Sequence, residues 1–525
     1  MNRRVFTSSA RIGAAMLTAL GLAIYAQSGG SSGSAGPWPV AGHDLSNSRN
    51  QPAENRINTN NAGSLTTKWV FRTGGDVSAT PTVGADAVYV PDWAGNLYAI
   101  RKENGQAVWS AKISQYDGVA DAFSRVSPAI HGNDLIVGDN ESLSPLHDGA
   151  RIIAVNQQNG ALHWITQVEK NPAAIITGSP VVVGDMVVVG VSSNEEALAD
   201  VPGYVCCTFR GSMVALDANT GKILWQTYTV PDNGGKVTGY SGGAIWQPPA
   251  IDTVKGLIYV GTGNNYTVPD AVLSCQTTVS AGMSASCMDP ADYFDSVLAL
   301  DLATGAIRWN KQLQGYDVWT VACSSPKAGV TCPSPAGPDY DLSGSGPNLL
   351  PGLVGFGQKS GTYWGLDPSS GEILWSTVVG PGSTLGGIEW GSATDGERIY
   401  AAITNNLHNA YKLANHRGET ITWGSWGALS VRTGKMVWQT ADPTKGAIDM
   451  GAVSVANGVV YAGSYSGLMY AMDARTGKIL WSFDSGGSVL DGPAIADGVV
   501  YWGSGYAHIK PGKPNNQVFA FAPAR

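Results

Sequence analysis

One twelve-residue phrase, VALDANTGKILW at Val214–Trp225, constrains this chain more than any other feature. It reads as a strand, a tight turn that needs a residue at positive φ, and a second strand ending in tryptophan; the glycine ahead of KILW supplies the turn. The phrase recurs at Tyr98–Trp109, Ile153–Trp164, Leu298–Trp309, Trp364–Trp375, Gly427–Trp438 and Tyr470–Trp481. Upstream of most copies lie two more strands with their own turns, as in Ser179–Val191, Ile251–Gly261 and Ala452–Gly463. Four short antiparallel strands per unit make one blade of a β-propeller.

An eighth unit is split between the ends of the chain. Trp69, in TKWVFRTGG, stands where a blade would finish, and VFAFA at Val518–Ala522 stands where the strand before that turn would be. Pairing the two closes the ring and removes its edges, whereas an open solenoid would need polar caps. The expected fold is all-β, an eight-bladed propeller over residues 38–525. One tryptophan per blade packs flat between neighbours and seats its indole N–H on a carbonyl.

With 525 residues, 68 glycines and only 14% charged residues, the composition suits many short strands and turns. The formal charge of −8, with no basic patch, argues against nucleic acid. Arg3 and Arg4, an apolar run over Ile12–Ala26 and a Gly/Ser-rich stretch to residue 37 have the layout of an export signal, partly like the twin-arginine type. Cleavage near Ala26 would leave a periplasmic protein with no membrane anchor. Six cysteines fit that compartment. Three local bridges are expected, Cys206–Cys207, Cys275–Cys287 and Cys323–Cys332. No C-x-x-C-H run occurs, so the chain carries no covalent haem.

The repeat, the cysteines and the export signal together resemble the quinoprotein alcohol dehydrogenases. That family consists of eight-bladed propellers that hold pyrroloquinoline quinone (PQQ) over an axial metal ion. CCTFRG, GTGNNYTVP and PDYDLSGSGPNL are most similar to its polyvinyl alcohol dehydrogenases. Non-enzymatic outer-membrane assembly lipoproteins share the repeat, so a scaffold protein is the alternative, and the residues that break the repeat must decide.

Alone, Glu195 and Glu196 read as a solvated loop, Asn264 as a turn former, and Lys359 or Arg125 as surface charges. The resemblance implies sharper roles. Thr177 would bond the quinone, and Glu195, with Glu196 in reserve, would ligate the metal. Trp246 would stack under the quinone plane and Asn264 would give the metal a neutral oxygen. The family's Asp-x-Trp-Asp-Tyr-like run is interrupted here. Tyr316-Asp-Val-Trp319 begins it and Asp339-Tyr340-Asp341 resumes it after an insert. Asp339 inherits the roles of base and ligand, Asp317 is the alternative base, and Asp341 adds a carboxylate to the metal. Lys359, Arg125 and Asn405 would hold the quinone's oxygens. Ser78 stands where the family often has a Glu, and Cys206–Cys207 follows the metal Glu where the family's pair precedes it. The implied activity is oxidation of alcohols, secondary hydroxyls of polymers included. PQQ and Ca²⁺ or a rare-earth ion would serve as cofactors, and electrons would pass to a separate cytochrome c.

Overall fold

A computed structural model describes residues 1, 36–142, 148–278, 285–414 and 418–524. The expected export signal, and most of the Gly/Ser-rich stretch after it, lie outside the described residues. Among those described, no helix is long and apolar enough to cross a membrane.

The repeat folds as its pattern requires. Blade 1 comprises Thr82–Val83, Ala87–Pro91, Asn96–Arg101 and Ala107–Lys112, each strand antiparallel to the next. Blades 2 to 7 repeat this order, beginning at Ala129, Val181, Ala250, Pro347, Ala393 and Val453. Blade 8 is the split one. Leu65–Arg72 pairs with Gln517–Pro523, with Trp69 opposite Ala520, and the C-terminal half supplies the other strands. The ring is closed by the two ends of the chain, as the sequence predicts.

All eight blade-ending tryptophans dock on the following blade. Trp164 donates its indole N–H to the Ala218 carbonyl at 2.9 Å, and Trp481 closes the circle on Leu65 at 2.9 Å. Trp69, Trp109, Trp225, Trp309, Trp375 and Trp438 make the same bond at 2.8–3.3 Å. The turn glycine serves two purposes. Gly221 sits at φ +71°, and a Cβ there would come within 2.5 Å of the Trp164 ring. Any side chain would therefore strain the turn and push the ring off its seat.

The segment before blade 8 is not a repeat, and no spacing announces its role. It runs as a strap across the innermost strands of seven blades. Trp38 bonds Val83, and the carbonyls of Pro39, Leu45, Ser46, Ser48 and Arg49 accept from Ile130, Ile251, Leu349, Thr394 and Val455. Gln51 reaches the Ile495 carbonyl. Arg49 turns inward, fully buried, and donates to the Val453 and Ala41 carbonyls and to Thr80 Oγ1. One end of the axis is thereby plugged, and the other is left for chemistry.

The three disulfides form as expected, Cys206–Cys207, Cys275–Cys287 and Cys323–Cys332. The last ties the insert between Trp319 and Asp339, bringing the two halves of the interrupted run together.

Candidate active site

The open end of the axis is a cavity of about 610 Å³. Several blades contribute from the loop just before their first strand, as at Arg125, Thr177, Trp246 and Asp341, and Lys359 follows the second strand of its blade, which is why residues distant in sequence meet there. Arg125, Thr177, Trp246, Asp341 and Lys359 all line it.

The centre is a buried charge cluster. Lys359 Nζ lies 2.9 Å from Asp339 Oδ1 and 2.8 Å from Asp341 Oδ2, and 5.6 Å from the centre of the Trp246 ring. Asp341 Oδ1 accepts the backbone N–H of Asn264 at 2.6 Å. Asp339 sits at φ +62°, and its second oxygen, Oδ2, is buried with no hydrogen-bond partner among the described residues. A buried carboxylate oxygen left open is costly unless something fills it. Burial alone would lower the Lys359 pKa, but Asp339, Asp341 and Glu196 hold it well above the ordinary value. Burial likewise pushes the Asp339 carboxyl up, against the pull of Lys359.

The interrupted run resolves clearly. Asp317 accepts the backbone N–H groups of Asp339 at 3.0 Å and Tyr340 at 2.6 Å. Both of its oxygens hold the turn that presents Asp339, so Asp317 supports that residue rather than competing with it. Asn264 spends both amide N–H groups on the carbonyls of Asn265 and Trp319, leaving its side-chain oxygen as the end able to ligate.

Two expectations need correction. The Glu195 carboxylate is turned away from the cavity. It accepts from the backbone N–H groups of Thr208 at 2.9 Å and Phe209 at 2.7 Å, and from the Tyr204 hydroxyl at 3.2 Å. Glu196 faces the cavity instead, with Lys359, Asp341 and Asp317 as its charged neighbours, and burial lifts its pKa to about 7. Both residues open the short helix Glu195–Leu198, where successive side chains point about 100° apart, so only one can face the axis. Asn405 is likewise spent locally, bonding the Asn409 N–H and carbonyl, while Asn406 lines the cavity.

Sequence reasoning missed Glu389 and Trp390. Both line the cavity, Trp390 meets Trp246 edge-on at 5.2 Å, and the Arg125 guanidinium lies 4.6 Å from the Trp390 ring centre. Burial raises Glu389 to about 8, against the pull of Lys359. A carboxylate and a tryptophan between glycines, in GGIEWGS, were the available signal.

Among the described residues, no three His, Cys, Asp or Glu side chains converge closely enough to hold a metal ion by themselves. The donor set still fits a hard cation. Carboxylates at Glu196, Asp339 and Asp341 and the Asn264 amide oxygen are all oxygen donors. Arg125, Lys359 and Trp246 fit a flat polyanion beside it.

Residues 38–334 match the family described as glucose/ethanol/alcohol dehydrogenase, beta-propeller domain. A polyvinylalcohol dehydrogenase of Sphingopyxis sp. (strain 113P3) is 35% identical over 84% of this chain and 68% of that protein. The chain belongs to the PQQ-dependent alcohol dehydrogenases. A second polyvinylalcohol dehydrogenase, from Pseudomonas sp., is 32% identical over 90% of this chain and 73% of its own length. Among solved structures, the quinohemoprotein alcohol dehydrogenase from Comamonas testosteroni superposes with a TM-score of 0.67 at 20% identity, covering 93% of this chain and 81% of that one. Residues 424–522 also match the outer membrane protein assembly factor BamB. That match takes in part of blade 6, blade 7 and part of blade 8, and none of the buried cluster around Lys359. Members of this PQQ family oxidise alcohols, and this chain is an oxidoreductase of that kind.

Buried acids give the protein a pH signature. Asp292 and Glu389 are each pushed up to about 8, and Asp139 to about 7, chiefly by burial. Their unfolded values are about 4. The native state therefore holds extra protons between about pH 4 and pH 8, and stability falls as pH rises through the folded values. Thermal unfolding of the cofactor-free protein is expected to show Tm dropping by about 5 °C or more from pH 5 to pH 9.

Proposed function

We infer that this protein oxidises secondary alcohols, polyvinyl alcohol among them, with PQQ and Ca²⁺ or a rare-earth ion, in the periplasm, passing electrons to a separate cytochrome c. The observation carrying this reading is the open Oδ2 of Asp339, a buried carboxylate whose Oδ1 pairs with Lys359, itself 5.6 Å from the Trp246 ring. The subgroup assignment draws on the relatives named polyvinylalcohol dehydrogenase.

PQQ supplies the two-electron acceptor and the metal ion supplies Lewis acidity when they are bound. Glu196, Asn264, Asp339 and Asp341 would hold the metal ion. Trp246, which Trp390 meets edge-on, would fix the plane of the ring. Arg125, Thr177, Lys359 and Asn406 would hold its oxygens, and an Arg–carboxylate pair suits a group with several carboxylates. Asp339 Oδ2 takes the proton of the substrate hydroxyl. Asp317 keeps that oxygen aimed by accepting the backbone N–H groups on either side of the Asp339 Cα.

The test is reconstitution. Purified protein given PQQ with Ca²⁺, or with a rare-earth ion, should reduce an artificial dye in the presence of 2-butanol and of polyvinyl alcohol. No dye reduction with either metal and any alcohol would refute the reading.

A further inference from the structure

A second cavity, of about 820 Å³, opens beside the axial one. Arg125, Ile175, Asn194, Ala197 and Ile509 line both, so the two lie side by side with a common wall. The Arg125 guanidinium marks the junction, 4.6 Å from Trp390 on the axial side and 5.0 Å from Trp93 on the outer side. A small alcohol with its carbinol at Asp339 needs only the inner space, and nothing in alcohol oxidation itself requires the outer one.

The outer cavity is built rather than incidental. Trp93 is clamped between Phe123, stacked at 4.7 Å, and His508, stacked at 3.6 Å, and its indole N–H donates to Ser78 Oγ at 2.8 Å. Ser78 is the residue that departs from the family's Glu, and here it anchors this wall. Ala94, Ala120 and Ile175 extend the apolar surface, while Lys112, Asp121, Asn140 and Glu141 place polar and charged groups along it. Rigid aromatic and aliphatic surface interleaved with hydrogen-bonding groups suits a ligand of the same alternating character.

We propose that this outer groove is a chain subsite, which holds the flank of a hydroxylated hydrocarbon polymer while one carbinol sits in the axial cavity. Methylenes lie along Ala120, Ile175 and the aromatic clamp, and hydroxyls along the chain face the polar groups. The proposal rests on the alcohol-oxidising reading above, and it adds the source of preference for long substrates. A chain that fills both spaces binds more tightly per reacting hydroxyl than one that fills the inner space alone.

The test compares reconstituted holoenzyme with an Ala120→Trp variant, which fills the exposed groove without touching the axial cluster. In the wild type, kcat/KM per hydroxyl should rise about tenfold or more from 2-butanol and 2,4-pentanediol to vinyl alcohol oligomers, mainly through KM. Ala120→Trp should flatten that rise and leave 2-butanol within about twofold. Length-independent kcat/KM in the wild type, an unchanged rise in Ala120→Trp, or an equal gain with oligosaccharides would overturn the subsite. Failure to oxidise any alcohol would instead overturn the functional reading beneath it, so the two failures are distinguishable. As a second measurement, fluorescence titration of cofactor-free protein with vinyl alcohol oligomers should saturate in the wild type and weaken at least several-fold in Ala120→Trp.

Discussion

Asp339→Asn is expected to leave the protein folded and able to bind PQQ while lowering kcat by on the order of 10²–10⁴-fold. The substitution keeps the backbone and removes one of the two carboxylates paired with Lys359. Asparagine tolerates the φ of +62° that Asp339 adopts, and the backbone grip by Asp317 does not involve the side chain that changes. What is lost is the carboxylate oxygen that has no other partner. Asp317→Asn should behave differently. Its new amide group would face a backbone N–H that now finds an oxygen, costing about 1–3 kcal/mol of stability as well as turnover. Measuring kcat and Tm on both variants separates the roles. Turnover that survives Asp339→Asn would remove Asp339 as the base.

The second large effect concerns the paired glutamates. Glu196→Gln should weaken metal binding to the PQQ-loaded protein by at least about 10–100-fold, read by metal titration. Glu195→Gln should keep the metal but lose an acceptor for the Thr208 and Phe209 N–H groups, lowering stability by about 1–3 kcal/mol. The Cys206–Cys207 sulfurs lie 3.9 and 4.0 Å from the Glu195 carbonyl, so the damage in Glu195→Gln falls on that loop and not on the axis. The reverse pattern, with metal lost only in Glu195→Gln, would restore the ligand expected from spacing alone.

These residues also mark how far the sequence could be read. The frame was legible because a repeated phrase carries its own geometry. The phrase numbers the blades, the tryptophan finds the next blade's carbonyl, and Trp69 and Val518–Ala522 announce the closure. At the site, spacing pointed to turns beside the cavity but not always to the side chain that faces it. Glu195 against Glu196 and Asn405 against Asn406 are neighbours whose side chains diverge, and the choice depends on whether a local N–H or carbonyl claims one of them. Asp317 and Asp339 are distant in sequence, and only the folded insert shows that the first holds the second. The strap from Trp38 to Gln51 left no pattern at all, because its contacts are scattered backbone and side-chain bonds to seven of the blades. Glu389 and Trp390 were hidden in a glycine-rich turn outside the repeat.

The central claim is that the axial cluster holds one PQQ beside a metal ion. Trp246 and Trp390 line the cavity and serve as reporters. Titrating PQQ into purified wild-type protein, with and without Ca²⁺, should quench tryptophan fluorescence with a stoichiometry of one per chain. Binding should tighten when the ion is present, and Lys359→Met should lose both quench and affinity. Quenching that does not saturate, or that is identical in Lys359→Met, would contradict the account.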